Sequence, residues 1–177
     1  MLLHEMDAAN LFAGDDDPNK SEYLAMTEVK LPMLQEKTRE HLGGGMMGAI
    51  NVSMRVFEAM EMTFKLRGFN PDVMKKFGLN SPSRQRYTVL GNVRELVRNT
   101  EMPVKAVVQG RLIRMENDAF TRDGGISHDY QIAEVDFYAL YLDSQEKFYV
   151  NLWEGPSGLR VDGVVQYGNM ARNLGLA

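Results

Sequence analysis

The chain has 177 residues, 44% of them hydrophobic and 25% charged, with a formal net charge of -4 and no cysteine. That composition suits one domain large enough to bury about 70% of its unfolded surface. It excludes disulfides, thiolate metal sites and cysteine nucleophiles, and its longest apolar runs are too short to cross a bilayer as a helix.

Charge is uneven from the start. Residues 1–30 carry seven acids (Glu5, Asp7, Asp15, Asp16, Asp17, Glu22, Glu28) against Lys20 and Lys30, while the remaining 17 acids and 18 bases sum to +1. Glu5 and Asp7 stand where a signal peptide needs bases before an apolar core, which leads us to expect cytoplasmic synthesis. No basic stripe marks a nucleic-acid footprint. Residues 1–28 read as an arm ending in an acidic loop, with Leu11 and Phe12 as apolar anchors and Asp15 to Asn19 as a turn. Asp17, Asn19 and Ser21 have the spacing of calcium ligands, but Glu22 occupies the sixth position, where such a loop needs glycine.

Residues 23–42 read as a strand, at an edge or bent at Pro32, which has no amide to donate. After Gly43-Gly44-Gly45 comes a second strand region, 49–67. Its clearest part sets Met60, Met62, Phe64 and Leu66 on one face and Ala59, Glu61, Thr63, Lys65 and Arg67 on the other. Gly68 and Phe69 break it. Asn70 as N-cap, Pro71 in the first turn and Gly78 at the end predict a helix over 71–77.

A hairpin is predicted from 87–97 and 104–114, joined by Arg98, Asn99, Thr100 and Glu101, and then an exposed loop over 116–129. Residues 130–142 form another strand, with Val135, Phe137, Ala139 and Tyr141 on one side and Glu134, Asp136 and Tyr138 on the other. Strands at 147–153 and 159–165 flank a Gly155–Gly158 turn, and a short helix covers 166–173. Six to eight strands with one or two short helices indicate a mainly β fold, a sandwich or open barrel with a flanking helix.

Catalytic chemistry finds little purchase. His4, His41 and His128 are scattered, whereas zinc needs three or four converging donors. Gly43 to Gly48 is followed by Ala49-Ile50-Asn51-Val52, a strand, and not by the lysine, the hydroxyl and the helix of a phosphate loop. No Gly-x-Ser-x-Gly elbow occurs. Glu58 and Glu61 fall on opposite strand faces, and the Glu134 and Asp136 pair reads as a solvated face. The thirteen methionines lie mostly at alternating apolar positions, as core filler. No catalytic, metal or cofactor-binding residue is assigned, so a small β-barrel enzyme or ligand carrier is disfavoured.

Val29-Lys30-Leu31-Pro32-Met33-Leu34, Gly43-Gly44-Gly45-Met46-Met47-Gly48 and Phe57-Glu58-Ala59-Met60-Glu61 follow in order. With Asn10-Leu11-Phe12 near the start and Ala171-Arg172-Asn173-Leu174-Gly175-Leu176 at the close, they resemble the successive signatures of the phage major tail tube proteins. The departures are a longer acidic insertion around Asp15 to Ser21 and one residue after the final leucine. The resemblance implies one tail tube domain over 1–177, a β-barrel or sandwich whose copies form hexameric rings. The rings stack into a tube inside a contractile sheath, with DNA leaving through the lumen without specific binding. It implies a non-enzymatic virion protein, assembled in the host bacterial cytoplasm and not inserted in a membrane. Its partners would be itself, the sheath protein, a tube initiator or baseplate and a terminator. A headless R-type tailocin tube is the alternative, and a type VI secretion tube a more distant one.

Within that frame residues 35–56 form a hairpin arm between rings, whose tip, Gly43, Gly44, Gly45, Met46, Met47 and Gly48, touches the next ring. A conduit for DNA needs a neutral or acidic wall. Glu61, Thr63, Lys65, Glu134 and Asp136 are the candidates to line it.

Overall fold

A computed structural model describes residues 3–14, 20–78 and 83–176. Eleven strands and two short helices are found among them, and the strands close into no barrel. The backbone of the fold is a long antiparallel meander. Strand β1 (His4–Ala13) pairs with β6 (Gln85–Glu95), β6 with β7 (Thr100–Asn117), and β7 with β8 (Ser127–Leu142).

The far edge of β8 then divides. Its C-terminal part pairs with β9 (Gln145–Asn151), which continues to β10 (Leu159–Val161) and β11 (Val164–Val165). Its N-terminal part pairs with β5 (Met62–Arg67), which carries β2 (Met26–Lys30). The core lies against this divided sheet. Met62, Phe64 and Leu66 from β5 meet Tyr87 and Val89 from β6, Val108 from β7 and Tyr130 and Ile132 from β8. Phe64 stacks on Tyr130 with ring centroids 5.0 Å apart. Each such fully buried side chain contributes about 1.5–3 kcal/mol of transfer free energy. Burial pushes the phenols of Tyr87 and Tyr138 up to about 12, since a phenolate would be left poorly solvated.

Several expectations change. The N-terminal stretch is no arm over residues 4–13: it is the edge strand β1, because Leu11, Phe12 and Ala13 supply enough apolar surface to dock it. Asp15 to Asn19, the acidic turn, lie outside the described residues. The strand expected at 23–42 is two strands in different sheets, β2 and β3 (Glu36–His41), separated around buried Pro32. The strand expected at 49–67 likewise splits into β4 (Ile50–Phe57) and β5, with the alternation of Met60 to Leu66 intact.

Helix α1 (Pro71–Met74) is one turn, shorter than expected. Asn70 caps it, its side-chain oxygen accepting from the Val73 amide at 3.1 Å while its amide group donates to Glu22. Replacing Asn70 with alanine removes both bonds, and about 1 kcal/mol of stability should go with them. A thermal melt should then fall by roughly 2–4 °C.

The loop expected at 116–129 shrinks to 118–126, since β7 and β8 pair further than polarity alone suggested. The strand expected at 159–165 is interrupted by Asp162 and Gly163, both at positive φ, which turn β10 back on β11. The C-terminal helix α2 covers Gly168–Asn173.

The largest correction concerns β8. Gln109 faces Phe137 and Arg111 faces Ala133, so residues 134–136 stand opposite Gly110 alone. Glu134 takes a left-handed φ of 51° at this bulge. The bulge resets the alternation. Val135 and Tyr138 join the core and Phe137 faces the other way, so the two sides read from strict alternation do not hold. Gly110 is required here, since a Cβ would sit 2.7 Å from Ile132 and 2.8 Å from the Ala133 carbonyl oxygen.

Candidate assembly interface

Among the described residues strands β3 and β4 pair only with each other, forming a two-stranded ribbon apart from the main sheet. The chain leaves the main sheet at Pro32 and returns after Phe57. The ribbon's root is tied by the Glu58 amide donating to the Gln35 carbonyl at 2.9 Å, and by Leu34 and Phe57 packing on the core. Every residue of β3, and every residue of β4 before Phe57, is exposed.

The ribbon has two unlike faces. Ile50 and Val52 lie opposite His41 and Arg39, while Asn51 and Ser53 lie opposite Glu40 and Thr38. Ile50, Val52, Met54 and Val56 are large apolar side chains with nothing over them among the described residues. His41 and Arg39 share the face of Ile50 and Val52, and residues 54–56 stand opposite Lys37 alone. A two-stranded ribbon with exposed apolar side chains is marginal in water and gains by being covered. Near the root, Arg55 at a left-handed φ of 58° interrupts the register, and the Ser53 hydroxyl donates to Glu36 at 2.6 Å.

At the tip, Gly43 to Gly48 join the strands. The Met46 amide donates to the Gly43 carbonyl at 3.0 Å, and Met47 is fully exposed. A Cβ added at Gly44, Gly45 or Gly48 would meet no atom within 4 Å, and none of the tip glycines has a left-handed φ. Among the described residues neither backbone conformation nor crowding inside the protomer calls for these three glycines.

An apolar cleft of about 440 Å³ opens at the ribbon's root. Phe57, Met60, Val135, Leu152, Pro156 and Met170 line it, with Arg55, Glu58 and Glu134 among its charged residues. The sheet face turned away from the core holds a second hollow of about 580 Å³, which includes Arg86, Lys105, Phe137 and Tyr141. There Arg86 lies over Phe137, Phe137 meets Tyr149 edge-on at 5.3 Å, and Arg160 covers Tyr149 at 3.5 Å. Arg160 also grips Glu146 with two bonds of 2.9 Å and holds its carboxyl below the usual carboxylate range.

The five polar candidates fall into two settings. Thr63 and Lys65 lie on the wet face of β5, and Glu61 immediately precedes the strand. Glu61 accepts from Gln131 at 2.7 Å, and Lys65 sits between Asp118 at 2.6 Å and Asp129 at 3.3 Å. The hydrogen bond to Asp118 is the main cause of a raised Lys65 pKa.

Glu134 is exposed on the bulge, paired with Arg111 at 3.4 Å and with Arg84 at 3.8 Å. Asp136, expected beside it on a solvated face, is instead 5% exposed. The bulge turns it under Trp153, whose indole donates to it at 2.7 Å, with Arg84 at 3.5 Å. The cleft and the Trp153 contact escaped sequence reading because both depend on where the 152–158 turn folds back. Among the described residues no three His, Cys, Asp or Glu side chains converge as metal ligands, and no helix is long and apolar enough to cross a membrane.

In comparison with known proteins, the chain matches the family described as "Phage tail tube protein FII" over residues 5–175. No curated protein matches it significantly. Among solved structures, its fold is similar to a chain from the cryo-EM structure of an extracellular contractile injection system, the PVC sheath/tube terminator in its extended state. The TM-score is 0.53 at 13% identity, over 76% of this chain and 94% of that one.

Proposed function

The chain belongs to the phage tail tube protein FII family, and we propose that it is the structural subunit of the inner tube of a contractile phage tail. In this reading hexameric rings stack into a hollow tube whose lumen conducts DNA during genome ejection. The family match over residues 5–175 carries the reading. The shape of the protomer supports it. The edge of β1 ahead of its Phe12–Ser21 bridge, which pairs with no strand among the described residues, and the uncovered ribbon are liabilities in a monomer, and ring closure and stacking would use both. The role is structural. Partners beyond the subunit itself would be the sheath protein, the initiator or baseplate and the terminator, with the finished tube in the virion tail.

A DNA conduit should hold phosphate weakly. On the wall we assign to the lumen, Lys65 is matched by Asp118 and Asp129, and Arg84 and Arg111 by Glu134 and Asp136. Cations already engaged by carboxylates release few counterions to DNA, which keeps affinity low. Glu61, Thr63, Lys65 and Glu134 would face the bore, and Asp136 would steady Arg84 from behind.

Negative-stain microscopy of the purified protein tests the reading directly: rings or tubes of uniform bore are expected, and persistent monomers would refute it. Glu61→Lys, which lies outside the cleft at the ribbon's root, should leave tubes intact and lower infectivity. Normal infectivity in that variant would remove Glu61 from the lumen.

A further inference from the structure

We propose that Met47 leads the hairpin tip of one copy into the apolar cleft at the hairpin root of the next, in a head-to-tail contact repeated along the tube. The inference rests on the tail tube reading and names the receptor that reading leaves open.

Glycine in an exposed loop costs conformational entropy on ordering, which a fold accepts where φ is left-handed or where atoms approach the backbone closely. Within the protomer Gly44, Gly45 and Gly48 meet neither condition. An approach from outside the protomer supplies the missing reason. Met47 then stands at the apex as a flexible, fully exposed apolar side chain, a type suited to filling an irregular hollow.

The cleft suits such an occupant. Its floor, made by Met60 and Val135 with Phe57, Leu152, Pro156 and Met170 around it, is apolar and open. Its volume of about 440 Å³ accommodates Met47 together with the glycine backbone beside it. Glu134 at its wall is already engaged by Arg84 and Arg111, so its charge stays paired on insertion, and Arg55 and Glu58 are exposed residues of the cleft. The tip is itself uncharged from Gly43 to Gly48. An uncharged apolar loop and an apolar cleft match in chemistry.

Geometry makes the occupant a second copy. The eight residues of β4 span about 27 Å at ~3.4 Å per residue, so a tip cannot reach the cleft at its own root while the ribbon is extended. Each chain has one tip and one root, and joining the tip of one to the root of the next is a heterologous contact that propagates. The same geometry sets the axial spacing of rings at about one ribbon length, on the order of 30–40 Å with the tip included.

The chain contains no cysteine, so paired cysteines report on single contacts. Met47→Cys combined with Leu152→Cys, both exposed positions, should assemble and, on oxidation, give a ladder of covalent multimers in denaturing gels. Each single variant should stop at background. Met47→Cys with Ser144→Cys puts the second thiol beside the 580 Å³ hollow and should give no ladder. Tubes that form without a Met47–Leu152 ladder, or that give one through Ser144, overturn the cleft assignment and leave the tube reading standing. Wild-type protein that stays monomeric overturns the tube reading and this inference together. If the cysteine variants fail to assemble, hydrogen exchange of wild-type tubes against free subunits decides. Protection of both 43–48 and 152–158 is expected, and no change in either segment refutes the contact.

Discussion

Deleting Gly43 to Gly48 leaves a protomer that folds with its melting temperature within a few degrees of wild type but forms no long tubes. The main core draws nothing from these residues: its members lie on the meander, on β5 and around α1, and the ribbon touches it only through Leu34 and Phe57. Removing the tip therefore cuts no core contact. It does remove the exposed Met47 and the backbone we place against the next ring. An interface with one apolar anchor in a desolvated pocket depends on that anchor by roughly 2 kcal/mol or more, and every such contact in a ring of the kind we propose would be lost at once. Electron microscopy is the measurement, with a melt as the check on folding. Long tubes from the deletion variant would show that the tip does not join rings.

A milder companion separates local strain from lost contact. Gly45→Val adds a side chain where the free protomer offers open space, so its stability should barely move while stacking weakens. If Gly45→Val tubes match wild type in length and salt resistance, the tip glycines serve turn flexibility and not close approach.

How far the chain was legible follows from which forces are local. The alternation from Met60 to Leu66, the Asn70-Pro71 helix start and the Gly43–Gly48 turn are short-range patterns, and each appears in the fold. The division of two apparent strands into four was signalled by Pro32 and by the polar break at Glu58, but which sheet each half joins is a long-range matter. The bulge at Glu134 carries no glycine or proline to announce it. Its mark lies on the partner strand, at Gly110, and is visible only once β7 and β8 are in register. For that reason Asp136 looked solvated beside Glu134 although it is buried under Trp153. The cleft is harder still, being assembled from four separate stretches of chain.

Gly158→Ala should be the most damaging single methyl group in the chain. Gly158 is buried where the 3-10 turn Leu152–Gly158 hands over to β10. A Cβ there would lie 2.0 Å from the Asn151 carbonyl oxygen, 3.1 Å from its carbonyl carbon and 2.9 Å from the Glu154 Cβ. Two of those atoms are backbone, so no rotamer change relieves the overlap. Asn151 ends β9 and its side chain caps the turn by accepting from the Trp153 amide at 3.2 Å. Relief means moving either the end of β9 or the start of β10, whose pairing places Leu159 opposite Val150. Overpacking of rigid neighbours costs about 3 kcal/mol or more, which for a domain of this size lowers the melting temperature by roughly 6–12 °C. The loss should appear in the free subunit, unlike that of Gly45→Val, which should appear only on assembly. It should also loosen the cleft, because Gly158, Leu152 and Pro156 share its wall. A Gly158→Ala subunit that melts with wild type would mean the 152–158 turn does not pack against Asn151 in this way.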